Sequence, residues 1–213
     1  MIGKRSVEVE AKFVVPDEPT LQRLLGAREL GGFRLEPGPT EQVSDSYRDT
    51  ADWAIYRGGY ACRIRHKGER QIATLKGLGG AEGAIHERAE YEVTLDAGEA
   101  PAAWPASPAR DLALALSHGE SLIELFGLYQ QRYTRTVRAG DRQVARLSLD
   151  VVRMRVDAGT ESTFEVEVEL LPAGTPDDLA LMAADLRDKW GLQPQAYSKF
   201  ERGLAALNTK DSL

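Results

Sequence analysis

Residues 6–15, SVEVEAKFVV, put Glu8, Glu10 and Lys12 on one side of an extended chain and Val7, Val9, Ala11 and Phe13 on the other, because side chains alternate faces along a strand. The sorting recurs at 162–171, where Glu165, Glu167 and Glu169 alternate with Phe164, Val166, Val168 and Leu170. Carboxylates two apart on a strand sit about 6.6–6.8 Å from one another and repel. Three in phase destabilise the strand unless cations face them. Cations occur at the same period: Arg63 and Arg65 in 60–67, Lys76 in phase with Thr74, and Arg88 in phase with His86, Glu90 and Glu92. Residues 142–152 add Arg146, Ser148 and Asp150 in phase. Two arrangements satisfy this pattern. The sheet can close with its charged faces inward, giving a polar tunnel with apolar faces turned out toward helices, the reverse of a small barrel filled by apolar side chains. Alternatively, it can stay open, with one salt-bridged face in water.

The rest of the chain supplies about eight strands and several helices. Strands are predicted at 6–15, 43–49, 60–67, 71–76, 84–95, 129–138, 142–152 and 162–171, with a hairpin turn at Gly68-Glu69. Asp17 offers an N-cap to a helical stripe of Leu21, Leu24, Leu25 and Leu30 that ends at Gly31-Gly32, and EPGPT reads as a turn before the short strand at 43–49. Helical segments are predicted at about 109–117, 120–126, 175–190 and 198–207, the third with Thr175 as N-cap, Pro176 at its first position and Gly191 past its end. No fixed-period repeat and no clear linker divide the chain, so the expectation is one α+β domain over residues 1–213. Its architecture would be an eight-stranded antiparallel closed β-barrel with helices packed outside.

With 213 residues and a net charge of −6, the chain lacks the general positive field that attracts nucleic acid, so an anion must be held by locally concentrated cations. The one cysteine, Cys62, excludes a disulfide framework and should face the apolar side as a small buried residue. His66 and His118 read as surface or turn residues, and Trp53, Trp104 and Trp190 as anchors. No apolar run approaches the roughly 20 residues that span a bilayer, and no signal-peptide core follows Met1. A cytoplasmic protein without membrane partners is expected. A tunnel walled by carboxylates on one side and guanidinium and ammonium groups elsewhere suits a linear polyphosphate, which Arg and Lys clamp and a divalent cation bridges to carboxylates.

At these residues the sequence resembles the CYTH superfamily, the triphosphate tunnel metalloenzymes. The opening ExExK is Glu8, Glu10 and Lys12; YxDT is Tyr47, Asp49 and Thr50; RxR is Arg63 and Arg65; the lysine of TLK is Lys76. HERAEY carries Arg88 and Glu90, Arg132 stands three residues before Arg135, where relatives have an aromatic, SLD carries Asp150, ExExE is Glu165, Glu167 and Glu169, and SKxxRG carries Ser198, Lys199 and Arg202. The motifs run in order from residue 6 to about 207 and look most like bacterial inorganic triphosphatases, which often carry a helical CHAD domain after the barrel. Arg132 rather than Arg135 keeps phase with Thr134 and Thr136, and Gln130 replaces a lysine found in some relatives.

The resemblance implies that Glu8, Glu10, Asp150, Glu165, Glu167 and Glu169 ligate Mg²⁺ or Mn²⁺. It implies that Lys12, Arg63, Arg65, Lys76, Arg88, Arg132, Lys199 and Arg202 hold phosphates, with Lys12, Glu8 and Glu10 at the chemistry. Metal-dependent hydrolysis of inorganic triphosphate to pyrophosphate and phosphate is the expected activity. A class IV-type adenylate cyclase, a thiamine triphosphatase and a non-catalytic polyphosphate binder are the alternatives, and a homodimer is an expected assembly. Ser198 reads as a helix cap, and His86 as a residue of the polar face.

Overall fold

The computed structural model describes residues 4–79, 81–96, 98–156 and 159–208. Its strands are β1 (Lys4–Val15), β2 (Glu29–Leu30), β3 (Phe33–Asp49), β4 (Tyr60–Lys67), β5 (Arg70–Gly77), β6 (Ala81–Glu82), β7 (Ile85–Leu95), β8 (Ile123–Ala139), β9 (Arg142–Val156), β10 (Gly159–Leu170) and β11 (Gln193–Pro194). The helices are α1 (Glu18–Leu25), α2 (Ala54–Arg57), α3 (Pro108–Ser117), α4 (Pro176–Asp188) and α5 (Lys199–Asn208). Eight strands pair in the order β1, β10, β9, β8, β3, β4, β5, β7, and β7 returns to β1, so the antiparallel sheet closes. The choice left open by the sequence is thereby settled in favour of the tunnel.

Closure turns the charged faces inward and the apolar faces out. Phe13, Leu147, Leu149, Val166 and Val168 form a core with Leu21 and Leu24 of α1 and Leu179, Met182 and Leu186 of α4. Cys62, Ile64, Ala73, Leu75 and Val93 pack under Ala109 and Ala113 of α3. Each fully buried large apolar side chain contributes about 1.5–3 kcal/mol, so these outer layers supply the driving force that a charged lumen cannot. Asp17 caps α1 by accepting from the Thr20 amide at 2.8 Å, and Thr175 and Asp178 form a reciprocal capping box on α4. No helix among the described residues is long and apolar enough to cross a membrane.

A third cluster lies inside. Tyr47, Ala61, Phe126, Leu128, Val152 and Met154 sit on lumen-facing positions and pack against Phe200 of α5. They belong to the end where β3 and β7 meet their last and first residues respectively, and α5 closes that end. Tyr47 and Phe126 stack at 4.9 Å between centroids, with Phe200 at 5.5 and 6.1 Å from them. At the other end Arg146 and Glu169 are partly exposed, and there the tunnel opens.

Several expected boundaries change. Residues 120–126 are not a helix: from Ile123 they begin β8, whose pairing with β3 outweighs local propensity. The strand expected at 43–49 starts at Phe33, and EPGPT lies within it. Two prolines are tolerated because the register shifts between Pro37 and Thr40 and that edge of β3 has no β4 partner. Leu30 belongs to β2, not to the end of α1.

Gly203 of α5 approaches Phe126 so closely that a Cβ there would lie 2.1 Å from the ring. Alanine normally favours a helix interior over glycine by about 1 kcal/mol. Here Gly203→Ala is expected instead to destabilise the fold by about 1–3 kcal/mol through overpacking, read as a lower midpoint in urea.

Candidate active site: the charged tunnel

A cavity of about 170 Å³ is lined by Glu8, Glu10, Lys12, Arg63, Arg65, Lys76, Arg88, Arg132, Glu167, Glu169 and Lys199, whereas Asp150, Glu165 and Arg202 stand behind it, in contact with Arg132 and Lys199 or with one another. Glu10 is buried and receives Lys12 at 3.1 Å, Arg88 at 3.1 Å and Lys76 at 3.3 Å, while Lys76 also contacts Glu8. Across the lumen, Arg132 donates to both oxygens of Asp150 at 2.8 and 2.6 Å and to Glu167 at 2.7 Å. Lys199, reaching in from the start of α5, meets Glu167 at 2.7 Å, Asp150 at 3.1 Å and Glu165 at 3.4 Å. Arg202 contacts Glu165, and Arg146 meets Glu169 at 3.0 Å near the open end. Arg135, in contrast, points outward and donates to the Leu25 carbonyl at 2.8 Å, so Arg132 is the arginine of the lumen.

The carboxylates divide by how much positive charge reaches them. Burial opposes ionisation of Glu10, Asp150 and Glu167, but surrounding lysines and arginines outweigh it and hold all three below the usual range. Burial dominates at Glu8, which is pushed up to about 7 with Glu10 adding repulsion, and it also raises Glu90 and Glu169. Among the described residues no three carboxylate, histidine or cysteine side chains are grouped closely enough to hold a metal ion. The acidic side chains turn toward Lys and Arg instead.

Other motif residues have structural work. Asp49 accepts from the amides of Thr50, Ile55 and Tyr56 at 2.7–2.8 Å, clamping the loop before α2. Ser198 caps α5, accepting from the Glu201 amide at 3.1 Å. His86 is buried with its Nε2 2.9 Å from the Gln195 carbonyl. His66 lies at the surface near Glu99, and His118 ends α3 in a left-handed conformation.

Asp45 was not apparent from the sequence. Fully buried on β3, it accepts both nitrogens of Arg65 at 2.7 Å and Gln130 at 2.6 Å, with Arg63 at 3.9 Å. Burial penalises its charge, yet Arg65 and Arg63 more than compensate and lower its carboxyl to about 2. It therefore fixes Arg65, one of the arginines expected to bind phosphate, and lies close to a second, Arg63. The one sequence signal was its phase with Tyr47.

The CYTH domain family matches residues 6–204. The chain belongs to the CYTH family. Its fold is similar to those of several solved structures. An assigned adenylyl cyclase of Hippeastrum, whose description gives it a dominant triphosphatase activity, is 18% identical, with 93% of this chain and 95% of that one covered at a TM-score of 0.72. An assigned adenylate cyclase of Bacillus halodurans is 22% identical, covering 93% and 97% at 0.64. The PH1819 protein of Pyrococcus horikoshii is 18% identical, covering 93% and 98% at 0.58.

Asp45→Asn would leave Arg65 without its counter-charge in the wall of the CYTH tunnel, a change expected to cost about 3–5 kcal/mol. Because the Asp45 carboxyl is held below its ordinary 3.8, its stabilising contribution is present above that pH and lost as pH falls toward 2. Denaturant melts across this window should show a shallower acid loss in the variant than in the parent.

Proposed function

We propose that this CYTH protein hydrolyses inorganic triphosphate to pyrophosphate and phosphate, using a divalent cation, Mg²⁺ or Mn²⁺. The observation that carries the reading is the blind tunnel lined by lysines and arginines interleaved with carboxylates. Arginines there would grip phosphate oxygens in pairs and lysines as point charges. Lys12, Arg63, Arg65, Lys76, Arg88, Arg132, Lys199 and Arg202 are assigned to this task.

The donor set fits a hard cation in its chemistry. Glu8, Glu10, Asp150, Glu165, Glu167 and Glu169 offer the oxygen ligands that Mg²⁺ and Mn²⁺ prefer. Burial raises Glu8 and Glu169 although Lys76 and Arg146 lie against them, so both are carboxylates that a further cation would keep ionised. The lumen cations are so fully matched by carboxylates that a triphosphate entering alone would bring excess negative charge. When bound, the ion would neutralise phosphate charge and promote attack by water. Water attacks the terminal phosphorus in line, the bridging P–O bond breaks, and pyrophosphate leaves. A lumen carboxylate that the cation leaves free takes the proton of the attacking water. Lys12 and the arginines stabilise the charge that develops on the phosphoryl oxygens.

Adenylate cyclase and thiamine triphosphatase readings require a partner for a ring outside the phosphates. Among the described residues, the aromatics that face the lumen are Tyr47, Phe126 and Phe200. These pack on one another at the closed end rather than at the mouth.

Phosphate release from inorganic triphosphate, ATP and thiamine triphosphate, measured with Mg²⁺ or Mn²⁺ and again with EDTA, tests the reading. Chelator-sensitive turnover of triphosphate, reduced at least a hundredfold in Glu10→Ala, is expected (about 10²-fold for one lost electrostatic contact). Cyclic AMP and pyrophosphate from ATP, with triphosphate inert, would assign the tunnel to a cyclase. Tight triphosphate binding without turnover of any substrate would make the protein a binder.

A further inference from the structure

Lys12 and Lys199 come from opposite ends of the chain and meet on one carboxylate oxygen: Glu167 Oε1 lies 2.7 Å from Lys199 and 3.5 Å from Lys12. Lys12 is fixed by its strand. Lys199 is the first residue of α5, so its place depends on the segment that leads from α4 to α5. Within that segment Gln193, Pro194, Ala196 and Tyr197 are exposed and Gln195 is half-buried. Apolar packing therefore does not hold residues 193–197, and hydrogen bonds must.

Those bonds converge on Gln195. Its amide donates to the Lys12 carbonyl at 2.9 Å, extending the β11–β1 pairing of Gln193 and Pro194 with Val14 and Phe13. Its side-chain oxygen accepts from the Tyr197 amide at 3.2 Å. Its carbonyl lies 2.9 Å from His86 Nε2. A ring nitrogen that faces a carbonyl must carry the hydrogen, so Nε2 is the donor. His86 is 2% exposed and stands opposite Glu10 in the β1–β7 ladder, so the barrel wall itself supplies this anchor. Only Ala196, Tyr197 and Ser198 separate Gln195 from Lys199, a span of at most about 14 Å. His86 does not line the cavity, so its influence on a bound phosphate passes through what it holds.

We infer that His86 is a positioning residue for phosphate binding: by holding the Gln195 carbonyl it fixes the segment that delivers Lys199 to Glu167 beside Lys12. This deepens the triphosphatase reading and rests on it for the choice of ligand. A displaced Lys199 would leave Glu167 and Asp150 with less positive charge and the closed end of the tunnel with a weaker grip on phosphate.

The test uses the full-length protein and three variants. His86→Phe removes the donor, His86→Asn carries an amide too short to reach the carbonyl, and His86→Gln can place an amide nitrogen where Nε2 stands. Amide hydrogen exchange and calorimetric binding of inorganic triphosphate with Mg²⁺ are read for each. In the Phe and Asn variants, exchange of residues 195–204 should rise about tenfold with α3 unchanged, and triphosphate affinity should fall about tenfold, as for one lost hydrogen bond. The Gln variant should stay near the parent. A uniform rise in exchange across α3 and α5, or unchanged affinity in the Asn variant, would overturn the inference. So would a Gln variant that restores nothing the Asn variant loses. If the Phe variant does not fold, the comparison of Asn with Gln decides alone. If the parent neither binds nor cleaves triphosphate, the triphosphatase reading fails by itself, and exchange in α5 then judges His86: a local rise restored by Gln supports the inference, and a uniform rise or none overturns it.

Discussion

Everything in this fold depends on pairing charge inside a closed sheet. Removing an unpaired carboxylate or ammonium group from water costs several kcal/mol, and a buried pair recovers this only with close geometry and full hydrogen bonding. The lumen meets that condition by interleaving: Glu10 between Lys12, Lys76 and Arg88, and Asp150 and Glu167 between Arg132 and Lys199. Such an interior is poor at driving folding. The driving force therefore moves to the outside of the barrel, where α1, α3 and α4 cover the apolar faces. The inversion of a normal small barrel and the need for an outer helical layer are one requirement seen from two sides.

The same pairing gives the tunnel its chemical character. Cations already bound to carboxylates are positioned before any ligand arrives, with their side-chain entropy spent during folding. Asp45 shows the extreme form, since it holds Arg65 through two bonds and Gln130 through a third and offers no free oxygen to anything else. Glu8 shows the other extreme, a carboxylate for which burial and repulsion from Glu10 outweigh the contact with Lys76. A single wall thus holds cations fixed by carboxylates beside a carboxylate whose burial is only partly offset.

Much of this was legible in the sequence because period-two alternation reports the facing of side chains directly. Glu8, Glu10 and Lys12, the 165–169 glutamates, and Arg63 with Arg65 were assigned to one face before any pairing was known, and the barrel puts them there. What escaped was non-local. The first turns of β8 looked helical because strand pairing with β3 is invisible to a local window. EPGPT looked like a turn because prolines punctuate most chains, yet here they sit on an unpaired strand edge. Asp45 escaped because its meaning comes from Arg65, its cross-strand neighbour. The inward turn of α5, which brings Lys199 and Phe200 together at the closed end, left only the motif SKFERG as its trace. The glycine of that motif is explained by the Phe126 ring lying against it.

The aromatic plug under α5 sets the traffic through the molecule. A chamber with one aperture makes entrance and exit the same path, so a linear ligand can be gripped only by an end and never threaded through. Whatever is formed inside must leave before the next molecule enters, and any ion that accompanies the ligand exchanges with solvent through that same opening.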